Sequence, residues 1–339
     1  MIARTGAMLA SWWAWWVGLW ARREAPHVMA LVRIAVAVVL LWDFATVWRL
    51  DLITTLWGMP EVGGLGDVLS RKPVPEMYQW LPPTEATAVA TFAVMVGALI
   101  CLAAGFLTPV AAVVTMLVSS QLAQVLPLGD RGIDLMLRNV LLLLAFSGCG
   151  RAWSVDAWLF RGGILGRPLM RLLGPSDAVL AWPRYLLVLQ ILVMYFAAGI
   201  QKTSVTWWPL GDYGAIYLIL QDPSIAAFRF GWLEQVFPLT QIASAATMVF
   251  ELGAGAIFFT WWFRDTRTRP GRMRALFNRL ELHKWWMVIG VGLHLGIAAT
   301  MSLGIFPYAM LALYPAFLHP DELPRRAARR VARDEAIAA

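Results

Sequence analysis

Apolar residues run along this chain in long blocks, at about 28–48, 86–107, 109–127, 134–149, 184–201, 238–263 and 284–304, with a shorter block at about 305–318. A helix needs about 20 such residues, each rising 1.5 Å, to cross the hydrocarbon core of a bilayer. The pattern therefore predicts an all-α protein, a polytopic membrane helix bundle of about eight transmembrane helices. Pro109 leaves only a tight turn between the second and third blocks. The last two are divided near Ser302-Leu-Gly-Ile-Phe-Pro307, where residues disfavour helix continuation, so the eighth segment either spans or re-enters.

Composition agrees with the pattern. Of 339 residues, 60% are hydrophobic and 14% charged, too apolar for an ordinary soluble domain. No polar stretch is long enough for a separate domain, which suggests a Trp-rich N-terminal segment over 1–26, one membrane domain over 27–318 and a basic tail over 319–339. Ser11-Trp-Trp-Ala-Trp-Trp-Val-Gly-Leu-Trp20, running into Arg22 and Arg23, reads as an interfacial helix, since tryptophan prefers the headgroup layer. The net charge of +7 comes mostly from arginines in four places. Arg4, Arg22 and Arg23 precede the first helix, and Arg151, Arg161, Arg167 and Arg171 follow the fourth. Arg264 to Arg279 separate the sixth from the seventh, and Arg325 to Arg333 lie near the end of the sequence. Eight alternating crossings place all four clusters on one side, and the excess of positive residues makes that side the cytoplasm, with both termini inside. The charge is thus topological and lipid-facing; no base-reading motif suggests nucleic acid. Loops at about 49–85, 128–133 and 202–237 face outward. Cys101 and Cys149 lack metal or redox spacing, and no metal site is expected. Gly63-Gly-Leu-Gly66 opens no dinucleotide-binding unit and reads as a loop. No internal repeat supports a transporter.

Charges inside apolar helices need a partner or a function. Asp134 and Arg138 stand at i and i+4 and are expected to pair. Arg33 and Asp43, ten positions apart, are each expected to meet another helix. Glu251 lies near the middle of the sixth block, where a carboxylate is protonated or neutralised by a cation, and His294 is mid-helix in the seventh. Lys202 stands at the end of Tyr195-Phe-Ala-Ala-Gly-Ile-Gln-Lys202, with no basic cluster beside it. On the arginine map it belongs to the outer half of the membrane. An ammonium there snorkels, pairs or gives up its proton.

The segment from Tyr195 to Lys202, followed by Trp207, Gly211 and Tyr213, resembles the catalytic segment of vitamin K-dependent γ-glutamyl carboxylases. Ala152-Trp-Ser-Val-Asp156 resembles their Trp-Ser-Val-Asp stretch, and His294 with Ser302 to Met310 resembles their seventh-helix histidine and the turn beyond. Arg33 and Glu251 also fall where that family carries an arginine and an acid. The similarity covers about residues 26–326, the HTTM (horizontally transferred transmembrane) domain, which also occurs in bacterial sporulation-delaying protein B. The resemblance implies that Lys202 is a base that deprotonates reduced vitamin K or, in a bacterium, menaquinol. Oxygen then yields the epoxide, and carbon dioxide is added to a glutamate of a peptide. Tyr195, Gln201, Trp207, Glu251, His294 and Arg33 would line the quinone and substrate cavity. Tyr195, two helical turns before Lys202, is expected to face that cavity with it. A lysine partly removed from water is neutral often enough to serve as such a base.

The sequence departs from that family in two ways. Asp130-Arg-Gly-Ile-Asp134 stands where the carboxylases carry a histidine, and no large extramembrane domain follows the last apolar block. An accessory protein is expected to supply what that domain does, with a small secreted peptide as substrate. The alternative is a non-catalytic protein of the bacterial inner membrane that serves maturation or export of a secreted peptide, as in the family of sporulation-delaying protein B.

Overall fold

The computed structural model describes residues 10, 13–66, 74, 76–82, 84–161 and 178–323. Arg4, Arg167, Arg171 and the basic tail beyond 323 lie outside the described residues. The apolar blocks form helices where the pattern places them: α1 (His27–Arg49), α2 (Glu85–Ala104), α3 (Thr108–Val125), α4 (Gly132–Phe146), α5 (Trp182–Gln201), α6 (Phe237–Asp265), α7 (Leu282–Thr300) and α8 (Phe306–Leu313). Among the described residues five, α1, α2, α3, α5 and α6 with the turn before it, are long and apolar enough to cross a membrane. The 15 residues of α4 and the 12 apolar residues Phe306–Phe317 are shorter, reaching about 22 and 18 Å, while α7 has the length, 19 residues, but is less apolar than the five. Pro307 opens α8, and Pro315 stands at the start of the 3-10 turn Tyr314–Phe317 that completes the segment. The one sheet among the described residues is a two-residue ladder in which β1 (Arg23–Glu24) pairs antiparallel with β2 (Val179–Leu180). Gly63 lies in a turn with φ 84°, so the glycine-rich stretch is a loop.

The chain divides into two compact units, Met1–Tyr185 and Leu186–Ala339, with the boundary inside α5. In the first, α1 buries Val28, Val32, Val36, Leu40 and Phe44 on a helical stripe. That stripe also carries Arg33, which is fully buried. Its guanidinium donates to the backbone carbonyls of Cys149 at 3.0 Å and Trp153 at 2.5 Å. These carbonyls belong to the turn that contains Trp153-Ser-Val-Asp156, and the same turn caps α3. Asp156 accepts from Leu107 N at 2.8 Å, Thr108 N at 2.9 Å and the Thr108 hydroxyl at 2.8 Å. A carboxylate at a helix N-terminus satisfies donors that have no partner within the helix. Gly105 closes α2 with φ 70°. A Cβ there would come within 2.4 Å of Ser154 Cβ and 2.5 Å of Arg33 Nη1, so only glycine lets these parts meet. The family-like stretch is thus explained by structure, as the socket that joins α1, α2 and α3.

The expected pair of Asp134 with Arg138 does not form. Asp134 sits in the first turn of α4 and accepts from Arg131 N at 2.9 Å, which caps the helix, and from the Arg131 side chain at 2.8 Å. Arg131 also reaches Asp43 on α1 at 2.6 Å, while Arg138 takes Asp130 at 2.7 Å. Capping outweighs the i,i+4 contact because it serves a backbone donor as well as a charge. Asp43 thus meets the residue that caps α4, and Arg33 meets the carbonyls of a turn, where another helix was expected for each. The N-terminal approach is held by Glu24, whose carboxylate pairs with buried Arg184 at 2.6 Å. Trp13, Trp15 and Trp16 of the first helical turns are exposed, as an interfacial segment requires.

Replacing Asp156 by Ala leaves two backbone donors and a buried hydroxyl without their acceptor. Thermal unfolding in detergent is expected to show a loss of roughly 2–4 kcal/mol. An unchanged midpoint would rule out the socket as a stabilising element.

Candidate functional site

The second unit holds most of the residues singled out by sequence. Helix α5 ends at Gln201, where the chain turns sharply: Lys202 N donates to Gly199 O at 3.3 Å, and Thr203 N to Gln201 O at 2.8 Å. Two short 3-10 turns follow, at Val205–Trp207 and Pro209–Gly211. Trp208 Nε1 donates to the Lys202 carbonyl at 3.1 Å and folds the loop back onto the helix end. Gly211 is required there, since a Cβ would lie 2.5 Å from Val205 O. Asp212 and Tyr213 complete the loop with φ of 54° and 51°. The Trp207, Gly211 and Tyr213 positions therefore shape the loop that presents Trp207 to the lysine.

Lys202 does not snorkel alone. Its ammonium donates to Glu251 Oε2 at 2.5 Å and lies 4.9 Å from the centre of the Trp207 ring. The two side chains are 19% and 10% exposed, so the pair is largely removed from solvent. Glu251 belongs to α6, and the approach of α5 to α6 depends on Gly199. A Cβ at that position would lie 3.1 Å from Glu251 Cβ and 3.0 Å from Leu252 Cδ2. In a dry site the pair gains from mutual attraction and from the Trp207 π face, and losing one partner would strand the other charge.

A second polar group lies further along α5. The Tyr195 hydroxyl is 2.5 Å from His294 Nε2 and 2.9 Å from the Tyr314 hydroxyl. All three residues are buried. Aromatic rings enclose them: Phe250 stacks on Trp286 at 4.5 Å, and Tyr195 meets both edge-on at 5.1 and 5.4 Å. His294 Nδ1 has no hydrogen-bond partner among the described residues. An orphaned polar atom in a buried site calls for a partner that a ligand or water supplies. The two groups are joined through α6, where Phe250 touches Tyr195 and the next residue, Glu251, holds Lys202.

Beside this lies an apolar cavity of about 460 Å³, in the range of small-molecule sites, lined by residues that include Ile216, Phe230, Thr247, Phe250, Leu293 and Gly296. Thr247 is one helical turn before Glu251, and Leu293 adjoins His294. Lys202, Glu251 and His294 are not themselves among its walls. Gly292 and Gly296 are also in its wall, and a Cβ on either would meet nothing within 4 Å.

Of the residues expected to share one site, Lys202, Glu251 and Trp207 come together, and Tyr195 and His294 form the neighbouring group. Gln201 is exposed and joins neither group. Arg33 belongs to the first unit, where its described contacts are the carbonyls already named. Tyr314, Trp286 and Gly290 were not singled out by sequence. Trp286, Gly290 and His294 are spaced by four on α7 and so share a face, which was a readable signal. Tyr314 follows a helix break and carried none.

Gly290 makes room for Tyr314: a Cβ would fall 1.9 Å from its hydroxyl oxygen. Gly290→Val is expected to displace Tyr314 from Tyr195 and cost about 1–3 kcal/mol in detergent unfolding. Gly292→Ala, into open space, should stay within about 0.5 kcal/mol of the parent. Equal stability of the two variants would contradict this packing.

A family model for the HTTM domain matches residues 21–321. No curated protein and no solved structure matches the chain. The HTTM domain is a membrane domain found in vitamin K-dependent carboxylase-like proteins. With nearly its whole helical bundle inside the match, the chain belongs to the HTTM domain family.

Proposed function

We propose that this protein is a membrane enzyme in which Lys202 and Glu251 together take a proton from a reduced quinone, menaquinol or reduced vitamin K, that arrives from the lipid. The observation that carries this reading is the 2.5 Å contact of Lys202 Nζ with Glu251 Oε2 in largely dry surroundings. An ammonium has no lone pair. Lys202 becomes a base only when its proton passes to Glu251, and the short contact provides that path. The neutral amine then accepts the quinol proton, so that Lys202 returns to ammonium beside the quinol anion while Glu251 holds the extra proton as a neutral acid. Arginine would not substitute, because its guanidinium keeps its proton.

The surroundings fit such a ligand. The apolar cavity suits a hydrocarbon tail, and the buried, orphaned His294 Nδ1 belongs to the residue next to Leu293 of its wall. Bound, a reduced quinone supplies an acidic hydroxyl and, with oxygen, epoxidation. Coupling to carbon dioxide and a peptide glutamate would need a peptide partner and an accessory protein. The position of the carboxylase histidine is filled by Asp130 to Asp134, whose charges pair with Arg131 and Arg138. Quinol deprotonation is therefore the part of the reaction that the geometry favours. The arginine distribution supports an inner-membrane protein with both termini in the cytoplasm.

One observation favours the non-catalytic reading, a role in peptide maturation: a lysine already matched by a glutamate is also a satisfactory structural pair. The two readings separate on Lys202→Arg, which preserves a pair but not a base. Membranes supplied with reduced menaquinone and oxygen should form epoxide, with Lys202→Arg and Lys202→Ala each lowering the rate at least about 100-fold. Wild-type membranes that make no more epoxide than Lys202→Ala would falsify the enzymatic reading. Full function of Lys202→Arg in peptide maturation would support the structural one.

A further inference from the structure

The segment between α6 and α7 contains a nine-residue helix, Arg272–Leu280, with no buried residue. Its two long faces differ. On one, the helix is tied to the end of α6. Phe277 packs on Phe263 at 5.5 Å, Arg274 lies 5.3 Å over the Phe263 ring, and Asn278 Nδ2 donates to Phe263 O at 3.0 Å. On the other, Met273, Leu276 and Leu280 follow at i, i+3 and i+7 and are 59%, 48% and 47% exposed. Arg272 and Arg279, seven positions apart, run along the edge of that stripe and are also exposed.

The charges nearby are unevenly matched. Arg267 pairs with Asp321 at 2.7 Å, Arg264 with Glu322 at 2.9 Å, and Lys284 with Glu281 at 2.6 Å. Arg272 and Arg279 have no carboxylate partner among the described residues. Two unmatched guanidinium groups beside an exposed apolar stripe, at the end of a helix long enough to cross a membrane, form a surface that is apolar in the middle and positive at its edge.

We infer that the helix Arg272–Leu280 lies in the plane of the membrane and binds anionic phospholipid, with Met273, Leu276 and Leu280 in the acyl boundary and Arg272 and Arg279 on the phosphates. The apolar stripe alone would suit any lipid; the unmatched arginines select the anionic one. The anchoring contacts to Phe263 hold the helix at the level where α6 leaves the hydrocarbon, so the lipid-facing stripe is set by the end of a spanning helix and not by a flexible tether. This surface is separate from the Lys202 site and does not rest on the enzymatic reading.

The full chain carrying Leu276→Cys, labelled with an environment-sensitive fluorophore in a Cys101→Ala background, is reconstituted into vesicles of phosphatidylcholine or of phosphatidylcholine with a minority of phosphatidylglycerol. The fluorophore should report a drier setting in the mixed vesicles, and high salt should reverse the difference. Arg272→Gln with Arg279→Gln should remove it, and phosphatidylglycerol retained by the detergent-purified chain should fall about fivefold per arginine. A water-exposed fluorophore in both vesicles would overturn the proposal in favour of a protein partner or a second copy. A fluorophore equally dry in both, with the arginine variants unchanged, would overturn the selection of anionic lipid.

Discussion

An ionised side chain inside apolar helices must bring its counterpart with it, and the contact of Lys202 with Glu251 is where this constraint shapes the protein most. Desolvating either group alone is costly, so α5 and α6 are held at the distance that lets ammonium and carboxylate meet. Gly199 permits that distance, Trp207 covers the cation, and the tight loop through Gly211 carries Trp207 back to it. Residues that look unrelated along the chain are thus parts of one arrangement around a single charge pair.

The first unit obeys the same constraint with different chemistry. Arg33 is fully buried, and its described partners are two backbone carbonyls. Asp156 takes the donors at the start of α3. The turn bearing Trp153 to Asp156 satisfies an arginine and a helix end at once, which accounts for its place in the family-like pattern without assigning it any reaction. The Lys202 pair differs because a proton can move between its members, and an orphaned histidine nitrogen and an apolar cavity lie in the same unit.

Much of this was legible in the sequence, and the reasons for what was not are local. Each long apolar block became a helix, because crossing a bilayer demands a fixed number of apolar residues, but the short apolar helix Ala215–Gln221 lies in the stretch read as a loop. Block length did not settle which of them span, since α4 and Phe306–Phe317 fall short of the needed length and α7 is less apolar than the five that qualify. Lys202 and Glu251 each read as a charge needing a partner, but their mutual pairing depends on which helices touch, which the pattern of one helix does not record. Asp134 and Arg138 misled because i,i+4 spacing competes with capping, and the cap at Arg131 won. Tyr314 was hidden beyond a helix break, and Gln201, one residue from the lysine, is exposed because neighbouring positions on a helix face different ways.

The central claim is that the Lys202–Glu251 pair handles a proton and is not merely a structural contact. Isotope-edited infrared difference spectroscopy on the reconstituted protein reads this most directly, by comparing spectra before and after reduced menaquinone is added without oxygen. A carboxylic acid band that appears on addition and is missing from Glu251→Gln is the expected result. No such band in the wild type, or the same band in Glu251→Gln, would contradict it.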